Sequence, residues 1–271
     1  LYIKQNKFSR FLGEGGDKME IEKYLSAIKK RCSRRKYTDK PIDSKYVKEL
    51  EDSITLYNRE SGLNMKLIIG NGGKLFDGFR KSYGLFVGVQ NYIAMIGSKT
   101  LLNRMEKVGR FGEKLILEAT AMGLSTCWVG TSYDKNAAKE LCEGNEVLDC
   151  VIAIGYSDEK HSLKERMMEY GMHRQNKSKK ALIEAEEPVP EWFKQGMDSV
   201  YLAPTARNLR PFVFKYKDGQ VTASITLPTE TAIIDLGIAK LHFELGARVG
   251  SWDYGNGGHY YFDDKRKDSD I

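Results

Sequence analysis

Apolar residues recur along the chain with two periods, and the changes of period mark the elements. Ile21, Tyr24, Leu25 and Ile28 follow helical spacing, as do Tyr46, Val47, Leu50 and Ile54 after Pro41, where Asp43 or Ser44 is placed to cap the second helix. Residues 63–70 read as a strand broken by Asn71-Gly72-Gly73, and residues 83–96 as the next extended element. Phe111, Leu115, Ile116, Ala119 and Met122 return to helical spacing, and Gly123 stands where a glycine ends a helix. Residues 147–156 are a short apolar run rich in β-branched side chains, the mark of a buried strand. The charged stretch 157–187, closed by Pro188 and Pro190, reads as a join between two halves. Beyond it the pattern predicts a helix over 192–202, a hairpin of 212–216 and 221–227 around Asp218-Gly219, and a long apolar helix within 233–250 carried by Leu236, Ile238, Ala239, Phe243, Gly246 and Ala247. Gly255-Asn256-Gly257-Gly258 and the charged residues 263–270 read as turn and disordered tail.

The second long helix ends at glycine and is followed by Trp252, echoing the run from Phe111 to Trp128, and the late hairpin echoes the earlier strands. With 271 residues and 41% hydrophobic content the chain has the material for one large domain or two small ones. A net charge of +6 and a pI near 8.9 suit an anionic ligand as well as nucleic acid or a membrane surface. Lys and Arg are dispersed and no nucleic-acid recognition motif is present, so no nucleic-acid partner is expected. The longest apolar run, 85–96, is broken by Gln90 and Asn91 and is too short to span a bilayer, so no membrane partner is expected either. Cys32, Cys127, Cys142 and Cys150 lack metal spacing and do not suggest a disulfide scaffold; they read as reduced thiols of a cytoplasmic protein. His161, His173, His242 and His259 likewise lack metal spacing and suit ordinary surface or core roles, so no metal site is expected. Residues 1–18 have no sustained apolar segment and do not read as a signal peptide; they are expected to be an upstream extension or a cloning remnant before Met19.

The chemistry concentrates after the first helix, in Ala27-Ile-Lys-Lys-Arg-Cys-Ser-Arg-Arg-Lys-Tyr37. Cations in a last helical turn complement the macrodipole, and this cluster also suits an anion. Arg31, Ser33 and Arg35 place planar cations and a hydroxyl close together, which is what a phosphate ester needs. The run Arg31-Cys32-Ser33-Arg34-Arg35-Lys36-Tyr37 resembles the opening Arg-x-Ser-x-(Arg/Lys)-x-aromatic motif of the FMN-dependent nitroreductase family. Residues 117–130, Leu-Glu-Ala-Thr-Ala-Met-Gly-Leu-Ser-Thr-Cys-Trp-Val-Gly, are similar to that family's small-residue helix, Gly-Leu turn and short strand, and they also suit a plain helix-to-strand turn. Ala203-Pro204-Thr205-Ala206-Arg207-Asn208-Leu209-Arg210-Pro211-Phe212 is similar to the family's Ala-Pro-Ser-x-x-Asn-x-Gln-Pro-Trp segment, displaced here to the far half. The resemblance spans 19 to about 262 and is closest to the fused, single-chain nitroreductase-like proteins of bacteria and archaea.

That resemblance implies an α+β fold of two similar half-units, each with a central mixed or antiparallel sheet flanked by helices. The first, 19–187, carries the basic motif, and the shorter second, 188–271, carries the interface segment, so that one chain is a pseudo-dimer with one complete site. FMN would be held by Arg31 and Ser33 at its phosphate and by Arg35 at its pyrimidine edge, beside the main chain of Val129 and Gly130, with Cys32 and Trp128 also among the cofactor-binding residues. Arg174, Lys177 and Lys179 are further phosphate candidates, and Pro204, Thr205, Ala206 and Asn208 would close the opposite side. The implied activity passes hydride from NADH or NADPH through flavin N5 to a small-molecule electron acceptor such as a nitroaromatic or quinone, with no catalytic side chain. A flavin-binding module for storage or sensing without turnover shares every motif. Cys32 and Arg34 fill variable positions, Thr205 and Ala206 stand where serines are common, and Arg210 replaces the usual Gln, which puts substrate preference in doubt.

Overall fold

The computed structural model describes residues 17–76, 85–158, 160–162, 165–167, 177–248 and 250–262. The expectations for residues 1–16, His173, Arg174 and the tail 263–270 lie outside the described residues.

Helix α1 (Asp17–Lys30) buries Tyr24, Ala27 and Ile28. Helix α2 (Ser44–Ser61) starts at Asp43, whose carboxylate accepts the Lys45 N–H at 2.8 Å, and ends at Gly62 with φ 77°. Four strands follow: β1 (Lys66–Ile68), β2 (Asn91–Ser98), β3 (Ser125–Val129) and β4 (Glu146–Gly155). They form an antiparallel sheet in the order β1-β2-β4-β3. One face, with Ile93, Met95, Ile152 and Ile154, packs on α2 and on the long helix α4 (Arg104–Ala121). The other face, with Tyr92, Ala94, Val151 and Ala153, is covered by the short helices α3 (Gly73–Phe76) and α5 (Lys135–Lys139). Covering both faces is why β4 reads as a continuous apolar run rather than an alternating one.

The second sheet has the order β5-β6-β7-β9-β8, made of β5 (Ile183–Ala185), β6 (Phe212–Lys217), β7 (Gln220–Ile225), β8 (Ser251–Trp252) and β9 (Gly258–Tyr261). β5 runs parallel to β6 and the remaining pairs are antiparallel. Helices α6 (Glu191–Tyr201) and α7 (Glu230–Ala247) cover its inner face, where Phe193, Phe212, Phe214 and Phe243 are fully buried and Phe214 stacks on Phe243 at 5.3 Å. Each such ring contributes on the order of 1.5–3 kcal/mol by leaving water. Fold and class agree with the α+β expectation. Three elements differ in detail. Residues 63–70 supply only the three-residue β1, with Leu63 as an isolated bridge to Gly97. The strand expected over 83–96 begins at Asn91, because Gly88 turns the chain at φ 70° just before it. β9, hidden in a glycine-rich stretch, alternates buried Gly258 and Tyr260 with exposed His259 and Tyr261.

With the short helices α3 and α5 set aside, the succession α2-β1-β2-α4-β3-β4 has the same order as α6-β6-β7-α7-β8-β9, and β1-β2-β4-β3 matches β6-β7-β9-β8. The two sets meet where α4 crosses α7. A Cβ added to Gly109 would lie 2.0 Å from the Ile234 carbonyl oxygen, and one added to Gly237 would lie 2.1 Å from the Glu106 carbonyl oxygen. Glycine disfavours a helix interior, so two at one crossing mark backbones in direct contact. Around that crossing Lys240 pairs with Glu106 at 2.6 Å and Arg110 with Glu244 at 2.7 Å, while α1 lays Tyr24 and Ile28 over Leu117 and Leu241.

Candidate functional site

Beyond α1 the basic segment runs extended along the outer edge of β3. Ser33 bridges Thr126 in parallel, the Arg34 N–H donates to the Thr126 carbonyl at 3.0 Å, and the Val87 N–H donates to the Arg35 carbonyl at 2.9 Å. Extended backbone sends alternate side chains to opposite sides. Cys32, Arg34 and Lys36 turn toward residues 158–165: Cys32 Sγ lies 3.8 Å from His161 Nε2, Arg34 Nε 3.3 Å from Glu165, and Lys36 Nζ 3.3 Å from Asp158. Arg31, Ser33 and Arg35 occupy the alternate positions of the segment.

Glu165 fastens this segment. Its carboxylate accepts the Arg35 N–H at 2.7 Å, the Lys36 N–H at 3.3 Å and the Ser162 N–H at 2.8 Å. Burial alone would raise this carboxyl, but the N–H groups of Arg35 and Ser162, with the Ser162 hydroxyl, hold it down at about 2. Arg34 is therefore an anchor, 5% exposed and paired with Glu165, not a ligand-facing cation.

On β3, burial pushes the Cys127 thiol up, against the pull of Arg35, a hydrogen bond with Ser33, and Arg31. Those opposing influences place Arg31, Ser33 and Arg35 around one residue of β3. Arg31 Nε is buried without a hydrogen-bond partner, 3.8 Å from Glu113 Oε1. Among the described residues the Arg35 guanidinium has no ion-pair partner. Two guanidiniums and a hydroxyl with spare donors suit a phosphate monoester. Further along β3, Trp128 donates its indole N–H to Glu113 at 2.9 Å and Val129 is buried in the core. Gly130 is exposed, and a Cβ there would meet nothing within 4 Å.

The displaced segment forms a tight turn at the start of α7. Arg207, Asn208 and Arg210 have φ of 53°, 59° and 44°, left-handed conformations that cost non-glycine residues on the order of 1 kcal/mol each. Hydrogen bonds hold the turn: the Ala206 N–H donates to both Asp235 oxygens at 3.1 and 3.2 Å, the Arg210 N–H to Thr205 Oγ1 at 3.2 Å, and Arg210 Nη2 to the Tyr201 carbonyl at 3.0 Å. Burial lowers the Arg210 guanidinium, and Tyr201 opposes that. Burial raises Asp235 to about 7, against the Ala206 N–H. Strain kept in place by this many supports is characteristic of functional segments. Pro204, Thr205, Ala206 and Asn208 are each half-buried.

A buried relay through the helix pair joins the front and back segments. Arg31 neighbours Glu113 on α4, Glu113 Oε1 lies 3.0 Å from His242 Nε2 on α7, and His242 Nδ1 lies 3.0 Å from the Ser199 carbonyl in the last turn of α6, which leads to Pro204. Lys177 donates to Thr226 at 3.3 Å and Lys179 pairs with Asp198, so both have partners in the second sheet's half. Sequence reasoning missed Glu165, Glu113 and Asp235. The signal for the last two was available: α4 and α7 are buried on several sides, so their charges cannot all face water. No disulfide joins the four cysteines, and no cluster of metal-ligating side chains occurs among the described residues.

The family model described as "Putative TM nitroreductase" matches residues 23–247. The chain belongs to this nitroreductase family. Its fold is similar to that of a nitroreductase from Thermotoga maritima, with a TM-score of 0.58, 20% identity, and 88% of this chain and 91% of that chain covered. An FMN-dependent nitroreductase from Clostridium difficile matches with TM-score 0.41 and 22% identity over 51% of this chain and 90% of that one. A nitroreductase with bound FMN from Bacteroides fragilis matches with TM-score 0.40 and 18% identity over 52% and 92%. No curated protein matches. Among the described residues no helix is long and apolar enough to cross a membrane.

Proposed function

We propose that this nitroreductase-family chain is an FMN-dependent oxidoreductase, taking hydride from NADH or NADPH and passing electrons to a nitroaromatic, a quinone or a similar small acceptor. The observation that carries the reading is Arg31, with a buried, unpartnered Nε, set beside Ser33 and Arg35 on the edge of β3. Arg31 and Ser33 would grip the phosphate, and Arg35 would lie at the pyrimidine edge, where a cation favours developing negative charge. Cys32 is turned to His161, which favours Ser33 over Cys32 as the hydroxyl or thiol donor. The main chain at Gly130, open on its outer side, would flank the ring, and the turn at Pro204–Asn208 would close it from the other half. When bound, FMN supplies hydride acceptance and donation; the chain supplies grip, orientation and field.

We also read the chain as two fused half-units, one keeping the basic motif and the other the interface turn. Supporting this are the repeated element order, the repeated strand order and the reciprocal glycine contacts of α4 and α7. The test is oxidation of NADH or NADPH by the FMN-loaded protein with a nitroaromatic or a quinone as acceptor. Steady turnover is expected. Tight FMN binding with no turnover on any donor would assign the chain to flavin storage or sensing instead.

A further inference from the structure

Glu113 and His242 are both fully buried, on different long helices, and the hydrogen-bond geometry between them fixes how many protons they hold. His242 Nδ1 faces the Ser199 carbonyl at 3.0 Å, and a carbonyl only accepts, so Nδ1 carries a hydrogen. His242 Nε2 faces Glu113 Oε1 at 3.0 Å. Glu113 also accepts the Trp128 indole N–H on its other oxygen and has Arg31 at 3.8 Å. With Nδ1 already carrying its hydrogen, Nε2 and Oε1 can meet at this distance only with a second hydrogen between them.

We propose that the hydrogen His242 shares with Glu113 neutralises the carboxyl and thereby leaves the charge of Arg31 for a phosphate monoester. This rests on the reading above in which Arg31 holds the FMN phosphate. The distances support the division: His242 is within hydrogen-bond reach of the carboxylate, whereas Arg31 at 3.8 Å is not, and its Nε is left without a partner. Without that shared hydrogen, Glu113 would draw the guanidinium to itself and compete with any anion. Glu113 and His242 are therefore positioning residues, acting on the ligand through Arg31 and linking its charge state to both long helices.

The test compares affinities for FMN and for riboflavin, which lacks the phosphate, by quenching of flavin fluorescence. In His242→Gln the preference for FMN over riboflavin falls by about tenfold or more, the scale of one unscreened charge at this separation. In Glu113→Gln the preference holds or rises, and in the double variant it returns to within about threefold of Glu113→Gln. A merely structural pair would lower the preference in both single variants without rescue, which would overturn the proposal. Should the variants not fold, proton NMR of the unaltered protein decides: a strongly downfield hydrogen shared by a buried imidazole nitrogen and a carboxyl is expected, and its absence overturns the proposal. If the unaltered protein binds neither flavin, the proposed function fails; if it binds both equally, the phosphate role of Arg31 fails; if the preference exists but ignores His242, this inference alone fails.

Discussion

Two buried carboxyls set opposite pH dependences. Burial raises Asp235 from 3.8 to about 7, so between about pH 4 and 7 the folded chain holds this proton more tightly than the unfolded chain. Stability therefore falls as pH rises through that window, by on the order of 3 kcal/mol from this group. In Asp235→Asn the component between pH 5 and pH 8 should vanish, as read from urea midpoints at the two pH values; an unchanged slope would contradict the assignment. Glu165 has the reverse sign, because hydrogen bonds hold it at about 2, below the usual 4.5. Its contribution is present above pH 4.5 and is lost as pH falls toward 2. Glu165→Ala would leave Arg34 buried without its counter-charge, at a cost of about 3–5 kcal/mol in denaturant unfolding, and would loosen the segment that carries Arg31, Ser33 and Arg35. The sequence showed the basic motif because its cations lie within a few positions of each other. It did not show Glu165, which is 130 residues from Arg35, because nothing local marks a carboxylate that folds back onto backbone N–H groups.

Among the elements, the long helices were legible and the short strands were not. α4 and α7 carry enough apolar residues in register to be read from spacing, whereas β5 and β9 have three and four residues and depend on partners far along the chain. The two glycines at the helix crossing were visible as residues, but their meaning needed the partner helix. Gly237→Ala would push a methyl against the Glu106 carbonyl oxygen, backbone that cannot move aside, and should cost about 1–3 kcal/mol or more in denaturant unfolding. Gly130→Ala, with open space around the added carbon, is the control and should stay within about 0.5 kcal/mol. Equal costs at the two positions would mean that the helix contact is not the tight joint described.

At the scale of the molecule, the α4/α7 joint lies between the two segments that the proposed function uses: the basic segment on β3, and the strained turn anchored to Asp235 of α7. The corresponding place in the other half is built differently. There Lys240 pairs with Glu106 and donates to the Asp253 and Gly255 carbonyls at 3.0 and 2.8 Å, so its cation is already engaged. Under the proposed function this leaves one flavin per chain rather than two. Titration of the purified chain with FMN, followed by quenching of flavin fluorescence, tests this most directly. The account predicts saturable quenching that ends at one FMN per chain and weakens at least about tenfold in Arg31→Ala, the loss of one charged hydrogen-bond partner. No quenching, or two equal sites per chain, would contradict it.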